Sequence, residues 1–190
     1  MLSKEEIYKN FSLYTGWLRN EFGEECVEKL VGDDTDKIAN ATFAINESSG
    51  LAYDGSLIET VFKISRKAKE IASLLPEDQR PSEHSITKVA FLSHFAKAHM
   101  FMPNDVKWSR DKGKLYDFVD LKCALRCGER SYWICTNCGI RFTLEEYEAM
   151  RIMDKNVDDP FTNIYSSPLS IVIRMANQLL TYSYEYAASK

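Results

Sequence analysis

The chain has 190 residues, 45 % of them hydrophobic, with a formal charge of −4, five cysteines and three histidines. That length buries a core without help from a metal or a disulfide, and the acidic balance excludes binding to a phosphate backbone driven by overall charge. No apolar run approaches the roughly 20 residues of a membrane span, the first residues lead into an amphipathic rather than a secretory pattern, and five cysteines fit free thiols better than a disulfide framework; the expectation is a soluble, cytoplasmic protein.

Taken in chain order, Ser3 and Glu6 form a capping box ahead of Ile7, Phe11, Tyr14 and Leu18, an apolar face at helical spacing. A short helix is predicted around Glu24 to Leu30, ended by Gly32-Asp33-Asp34, and residues 40–55 read as an ordered loop. Ser56 and Glu59 suggest a second capping box for a helix carrying Leu57, Val61, Ile64, Ala68, Ile71 and Leu75 as far as Pro76, with Lys63, Arg66, Lys67 and Lys69 on a solvated face. A core helix is predicted from about Ser85 to Met100, closed by Pro103. Alternation through Val106, Trp108, Tyr116 and Phe118 around Asp111-Lys112-Gly113 predicts a β-hairpin near 105–119. Thr143 and Glu146 cap a further helix with Leu144, Tyr147 and Met150. A polar loop through Asp158-Asp159-Pro160 leads to Ser167-Pro168, which starts a last helix ending in Tyr182, Tyr184 and Tyr186. The fold class is mostly α with one hairpin, as N-terminal helices over 1–50 packed on a helical unit over 51–190.

Cys123, Cys127, Cys135 and Cys138 fall within sixteen residues. One reading is a zinc-stabilised interaction or nucleic-acid-binding module, since Cys-x2-Cys-Gly sets two thiolates on a tight turn. The spacing is imperfect: the first pair is Cys-x3-Cys, and seven residues separate the pairs. The other reading is a helix from about Glu129 to Cys138, with Ser131, Cys135 and Cys138 on one face and Gly139 just beyond its end. Lys107, Trp108, Arg110, Lys112 and Lys114 are candidate partner contacts: they could stack on and neutralise nucleic acid or meet a protein, while the plain alternative packs the aromatics inward and solvates the charges.

Several segments, in order, resemble the HD-domain metal-dependent phosphohydrolases, in particular the short phage-associated type. Residues 52–60 (Ala-Tyr-Asp-Gly-Ser-Leu-Ile-Glu-Thr) are similar to that family's Gly-Gly-Leu-Leu-Glu-His stretch, and Val89 to Lys97 to its His-Asp segment. Leu125 to Ser131 resembles its Leu-Gly-His-Gly-Glu-Lys-Ser motif, Glu145 to Met153 a helix with another histidine, and Ser167 to Asn177 the last helix, which bears Ala-Asp. The resemblance covers about two thirds of the chain and implies an HD-like helical domain. It also places Thr60, Ser93-His94, Cys127, Met153 and Asn177 where the family holds its metal ligands. Neutral and soft donors in place of imidazoles and carboxylates are poor ligands for the hard-to-borderline ions of such enzymes.

The resemblance therefore implies an inactive HD-like protein, phage or prophage encoded, without cofactor. It would bind a protein partner, or a nucleotide in a vestigial cleft between the helices of Thr60, Ser93-His94 and Asn177. A rebuilt metal site on His94 with Asp54 and Asp154 is the alternative that keeps hydrolysis.

Overall fold

Ser3 Oγ accepts the Glu6 amide at 3.3 Å and Glu6 Oε2 accepts the Ser3 amide at 2.8 Å, and this reciprocal cap starts α1 (Lys4–Phe22) in the computed structural model of the chain. The structure describes residues 1–153 and 166–188. Gly23 separates α1 from α2 (Glu24–Val31), and α3 (Thr35–Ala39) follows. A loop then leads to α4 (Ser56–Ala72), which packs against both α5 (Glu83–Leu92) and α10 (Pro168–Ala188). Between these lie α6 (Lys97–Met100), α7 (Lys107–Asp111), α8 (Cys127–Asn137) and α9 (Leu144–Ile152). Strands β1 (Phe101–Pro103) and β2 (Tyr116–Phe118) pair antiparallel, Phe101 opposite Phe118.

The architecture is mostly helical with one small antiparallel ribbon, as the periodicity predicts. Ile64, Ala68, Val89, Ala90, Leu92, Val172, Ile173 and Ala176 are fully buried, so α4, α5 and α10 carry the centre of the core. The same hydrophobic cluster takes in Tyr14 and Leu18 of α1 and Val27 and Leu30 of α2. The Tyr14 hydroxyl donates to the Phe91 carbonyl at 3.1 Å, tying α1 to α5.

Four local expectations change. Ser56 does not cap α4: its hydroxyl donates to the Leu51 carbonyl at 2.7 Å and accepts the Phe43 amide at 2.8 Å, so it pins the preceding loop, and Gly55 in the left-handed region takes the cap position. Lys63 is half-buried rather than solvated, paired with Glu59 at 2.6 Å and with the Tyr184 hydroxyl. The helix expected over 85–100 breaks after Leu92, because Ser131 Oγ accepts the Ala96 amide at 2.9 Å and holds a turn there before α6.

The ribbon's first strand is Phe101–Pro103, not the segment around Val106 and Trp108. Buried Asn104 accepts the Val106 amide at 2.9 Å and donates to the Lys114 carbonyl at 3.1 Å, which closes the intervening residues into α7. The basic residues therefore lie on α7 and its following turn instead of at a hairpin tip. The loop expected at 158–160 lies outside the described residues.

Candidate functional site

The six positions at which the family resemblance expects metal ligands are all buried. Thr60 on α4 is 1 % exposed, Ser93 and His94 just after α5 are 0 % and 1 %, Met153 just after α9 is 2 %, Asn177 on α10 is 7 %, and Cys127 at the first residue of α8 is 9 %. Three of the helices involved, α4, α5 and α10, pack against one another. Two links join the remaining positions: the Cys127 thiol lies 3.9 Å from the Ser93 carbonyl oxygen, and the Asn177 amide nitrogen donates to the Met153 carbonyl at 3.5 Å. The His94 ring lies 4.6 Å from the Phe43 ring, centre to centre, and the Lys97 ammonium stands 3.5 Å above that same Phe43 ring while donating to the Phe43 carbonyl at 3.0 Å.

The floor of this cluster is set by close approach of α8 to α9. A β-carbon on Gly128 would stand 1.7 Å from the Met150 carbonyl oxygen, so only glycine fits there. Ser131, one turn further along α8, holds the turn after α5. The segments 89–97 and 125–131, which share no local signal, are thus in direct contact.

Thr60 Oγ1, Ser93 Oγ and Asn177 Oδ1 have no hydrogen-bond partner among the described residues. Buried polar atoms in this state are uncommon and each costs stability. As a metal-binding set, however, the six side chains do not fit a hard or borderline divalent ion. Two hydroxyls, an amide, a thioether, a thiol and one imidazole supply no carboxylate, and a divalent charge sealed in a core needs anionic donors to offset its lost hydration. Among the described residues, no group of three or more His, Cys, Asp or Glu side chains is arranged to hold a metal ion. Asp54, the carboxylate considered for a rebuilt site, is exposed and accepts from the Tyr116 hydroxyl at 2.6 Å. Asp154 lies outside the described residues.

These unpartnered atoms give a direct test. Replacing Thr60 with valine exchanges a buried, unpaired hydroxyl for a methyl of the same shape, and is expected to raise stability by about 1 kcal/mol. A urea midpoint shifted downward would mean instead that the hydroxyl is engaged.

The cysteine window is helical. Cys127 begins α8, Cys135 is fully buried, and Cys138 follows the last turn, with Gly139 at φ +93° beyond it. At about 1.5 Å of rise per residue, Cys127 and Cys135 are about 12 Å apart along the axis, whereas zinc thiolates all lie about 2.3 Å from one ion. Cys123 is exposed ahead of the helix. The four thiols of the zinc alternative therefore do not converge in this fold. Burial pushes the Cys135 thiol well above its usual range, and the neighbouring Cys138 and Cys26 add to that shift. Such a group is a core side chain rather than a nucleophile.

His84 and His99 take no part in the cluster. His84 pairs with Glu21 at 3.4 Å on the surface. His99 on α6 faces Lys37 at 3.1 Å and Asp34 at 3.7 Å, and burial, reinforced by Lys37, lowers its pKa against the pull of Asp34.

On the ribbon side, Trp108 is 66 % exposed and Phe118 50 %, and Met102 and Val106 are exposed with them. Lys107, Arg110 and Lys112 are exposed, Lys112 lying 3.9 Å over the Trp108 ring, while Lys114 pairs with Asp117 at 3.0 Å. Four of the five expected contact residues are thus exposed on α7 and its following turn, and the fifth is held by an ion pair.

Sequence reasoning missed the pair formed by Lys88 and Glu146, 2.7 Å apart and both buried. Lys88 sits beside an apolar run and Glu146 reads only as a helix cap, so the one available signal was a charge at a core-facing position of α5. No described helix is long and apolar enough to cross a membrane. No family model, no curated protein and no solved structure matches the chain.

Proposed function

We propose that this chain is a catalytically inactive HD-like protein of the short phage-associated type, which acts by holding a protein partner on the surface formed by α7 and the β1–β2 ribbon. One contrast carries the reading: the six positions of the family resemblance are buried and supply no carboxylate, while Met102, Val106, Trp108 and Phe118 are exposed, as are Lys107, Arg110 and Lys112. A site that activates water needs an opening to substrate and a charged ligand set. An exposed tryptophan with a lysine ammonium 3.9 Å over its ring has the composition of an interface anchor, and that cation suits an acidic group on the partner.

Burial of Thr60, Ser93, His94 and Asn177 weighs against a nucleotide held between these helices, because a bound ligand needs polar groups it can reach. The experiment pairs two measurements. Immobilised chain is exposed to extract of the host cell, and an acidic protein retained by wild type is expected to be lost, at least tenfold, with Trp108→Ala or Lys112→Glu, both on exposed residues that leave the core intact. Purified protein is also incubated with nucleotides and phosphodiesters plus manganese, magnesium or iron. Turnover abolished by His94→Ala would overturn the reading, as would a retained partner indifferent to both surface substitutions.

A further inference from the structure

Five large apolar side chains of α10, Ile171, Met175, Leu179, Tyr182 and Tyr186, are between 37 % and 66 % exposed. At about 100° per residue they fall within an arc of about 80°, turned away from the side on which Leu169, Val172, Ile173 and Ala176 meet the core. Tyr182 and Tyr186 stack, ring centres 6.4 Å apart, which extends the stripe as a flat surface to the end of the helix. At roughly 100 Å² for each half-exposed large side chain, the stripe presents about 500 Å² of contiguous apolar area, the upper range for a monomer's largest patch.

We propose that a second copy of this chain docks on this stripe, with the two α10 helices antiparallel about a two-fold axis beside Leu179. The order of residues along the helix carries the orientation. Ile171 and Tyr186 share a midpoint with Met175 and Tyr182, adjacent to Leu179. A helix reversed about that point therefore lays Ile171 against Tyr186 and Met175 against Tyr182, and does so twice, as an isologous interface requires.

The charges agree with this register. Arg174 and Glu185 lie on the same edge of the stripe, and their midpoint falls one residue from that of the apolar pairs. Antiparallel two-fold pairing brings equivalent edges of the two helices together, so Arg174 of each copy meets Glu185 of the other. A parallel arrangement would set that edge against the apolar edge of Leu179 and Tyr186. Within one chain Arg174 has no ion-pair partner among the described residues. The apolar contact supplies about 500 Å² per copy, and the polar edges carry it toward the ~800 Å² per partner of a standard stable interface.

Sedimentation of the full chain across micromolar concentrations tests the proposal. Wild type is expected at twice the 21.9 kDa chain mass, and Met175→Glu/Leu179→Arg at the single mass with an unchanged helical circular dichroism spectrum. Arg174→Glu alone is expected to weaken association about tenfold by placing like charges together at both ends, and Arg174→Glu/Glu185→Arg to restore it. A monomeric wild type throughout the range, which would leave the stripe to an unlike partner, overturns the proposal. So does a dimer that survives the apolar substitutions, or a doubly charge-swapped chain that associates no better than Arg174→Glu.

Discussion

Alanine at position 128 is expected to cost about 3 kcal/mol or more of stability. The new β-carbon would stand 1.7 Å from the Met150 carbonyl oxygen and 2.7 Å from its carbon. Both contacts are to backbone, so no change of side-chain conformation relieves them, and α8 and α9 would have to separate. That separation would also disturb Tyr132, whose ring lies 4.4 Å from Tyr147 and 5.3 Å from Phe142. Overpacking that forces backbone apart lies at the upper end of core substitutions. Gly16 in α1 is the control: nothing stands within 4 Å of a β-carbon there, and alanine should raise stability by roughly 0.5–1 kcal/mol, because glycine is a poor residue inside a helix. Urea unfolding of both variants checks the pair. Equal midpoints for Gly128→Ala and wild type would show that the two helices are not in the contact described.

Removing one partner of the Lys88–Glu146 pair is the second large effect expected. Lys88 donates to Glu146 Oε2 and to the Arg141 carbonyl, each at 2.7 Å, and its ammonium lies 4.9 Å from the centre of the Phe142 ring. Glu146 also accepts from the Ser85 hydroxyl and the Thr143 amide, both at 3.0 Å. The pair thus clamps α5, α9 and the segment between α8 and α9. Lys88→Met would leave a carboxylate buried without its cation, a change that typically costs about 3–5 kcal/mol. Adding Glu146→Gln should recover a substantial part, since the remaining group is then neutral. A double-mutant cycle by urea unfolding measures the coupling, and additive losses would show that the charges do not act as a pair.

The same site carries a pH signature. Burial pushes the Glu146 carboxyl upward, but the Lys88 ammonium, the Thr143 amide and the Ser85 hydroxyl together outweigh burial and hold it below the ordinary value of 4.5. A carboxyl whose folded pKa is depressed contributes stability that is complete above its unfolded pKa and is lost as pH falls through the folded value. Wild type should therefore lose stability more steeply than Glu146→Gln below about pH 4.5, and the two should run parallel above it.

The long helices were legible from single stretches of sequence because each carries its own instruction. Ser3 with Glu6, Thr143 with Glu146, and Pro168 at the start of α10 mark helix starts, and three-four spacing marks the buried faces of α1, α4 and α10. The helical reading of the cysteine window rested on Gly139 after Cys138 and on the family resemblance, and α8 ends where that reading placed its end. Ser56, by contrast, has the same local pattern as Ser3 and a different role, since the loop of Phe43 and Leu51 folds over it before it can cap α4.

Composition and periodicity determined that this chain is mostly helical and where its main helices begin. Tertiary structure alone decided that the positions of the HD resemblance are closed into the core, that helix 85–100 breaks at Ser93, and that Lys88 meets Glu146 across 58 residues. It also decided which apolar side chains of α10 are exposed. The physical reason is common to all of these. Helix formation is set by hydrogen bonds and side chains within a few residues, whereas burial, pairing of charges and close approach of Gly128 to Met150 depend on which distant segment arrives to fill the space.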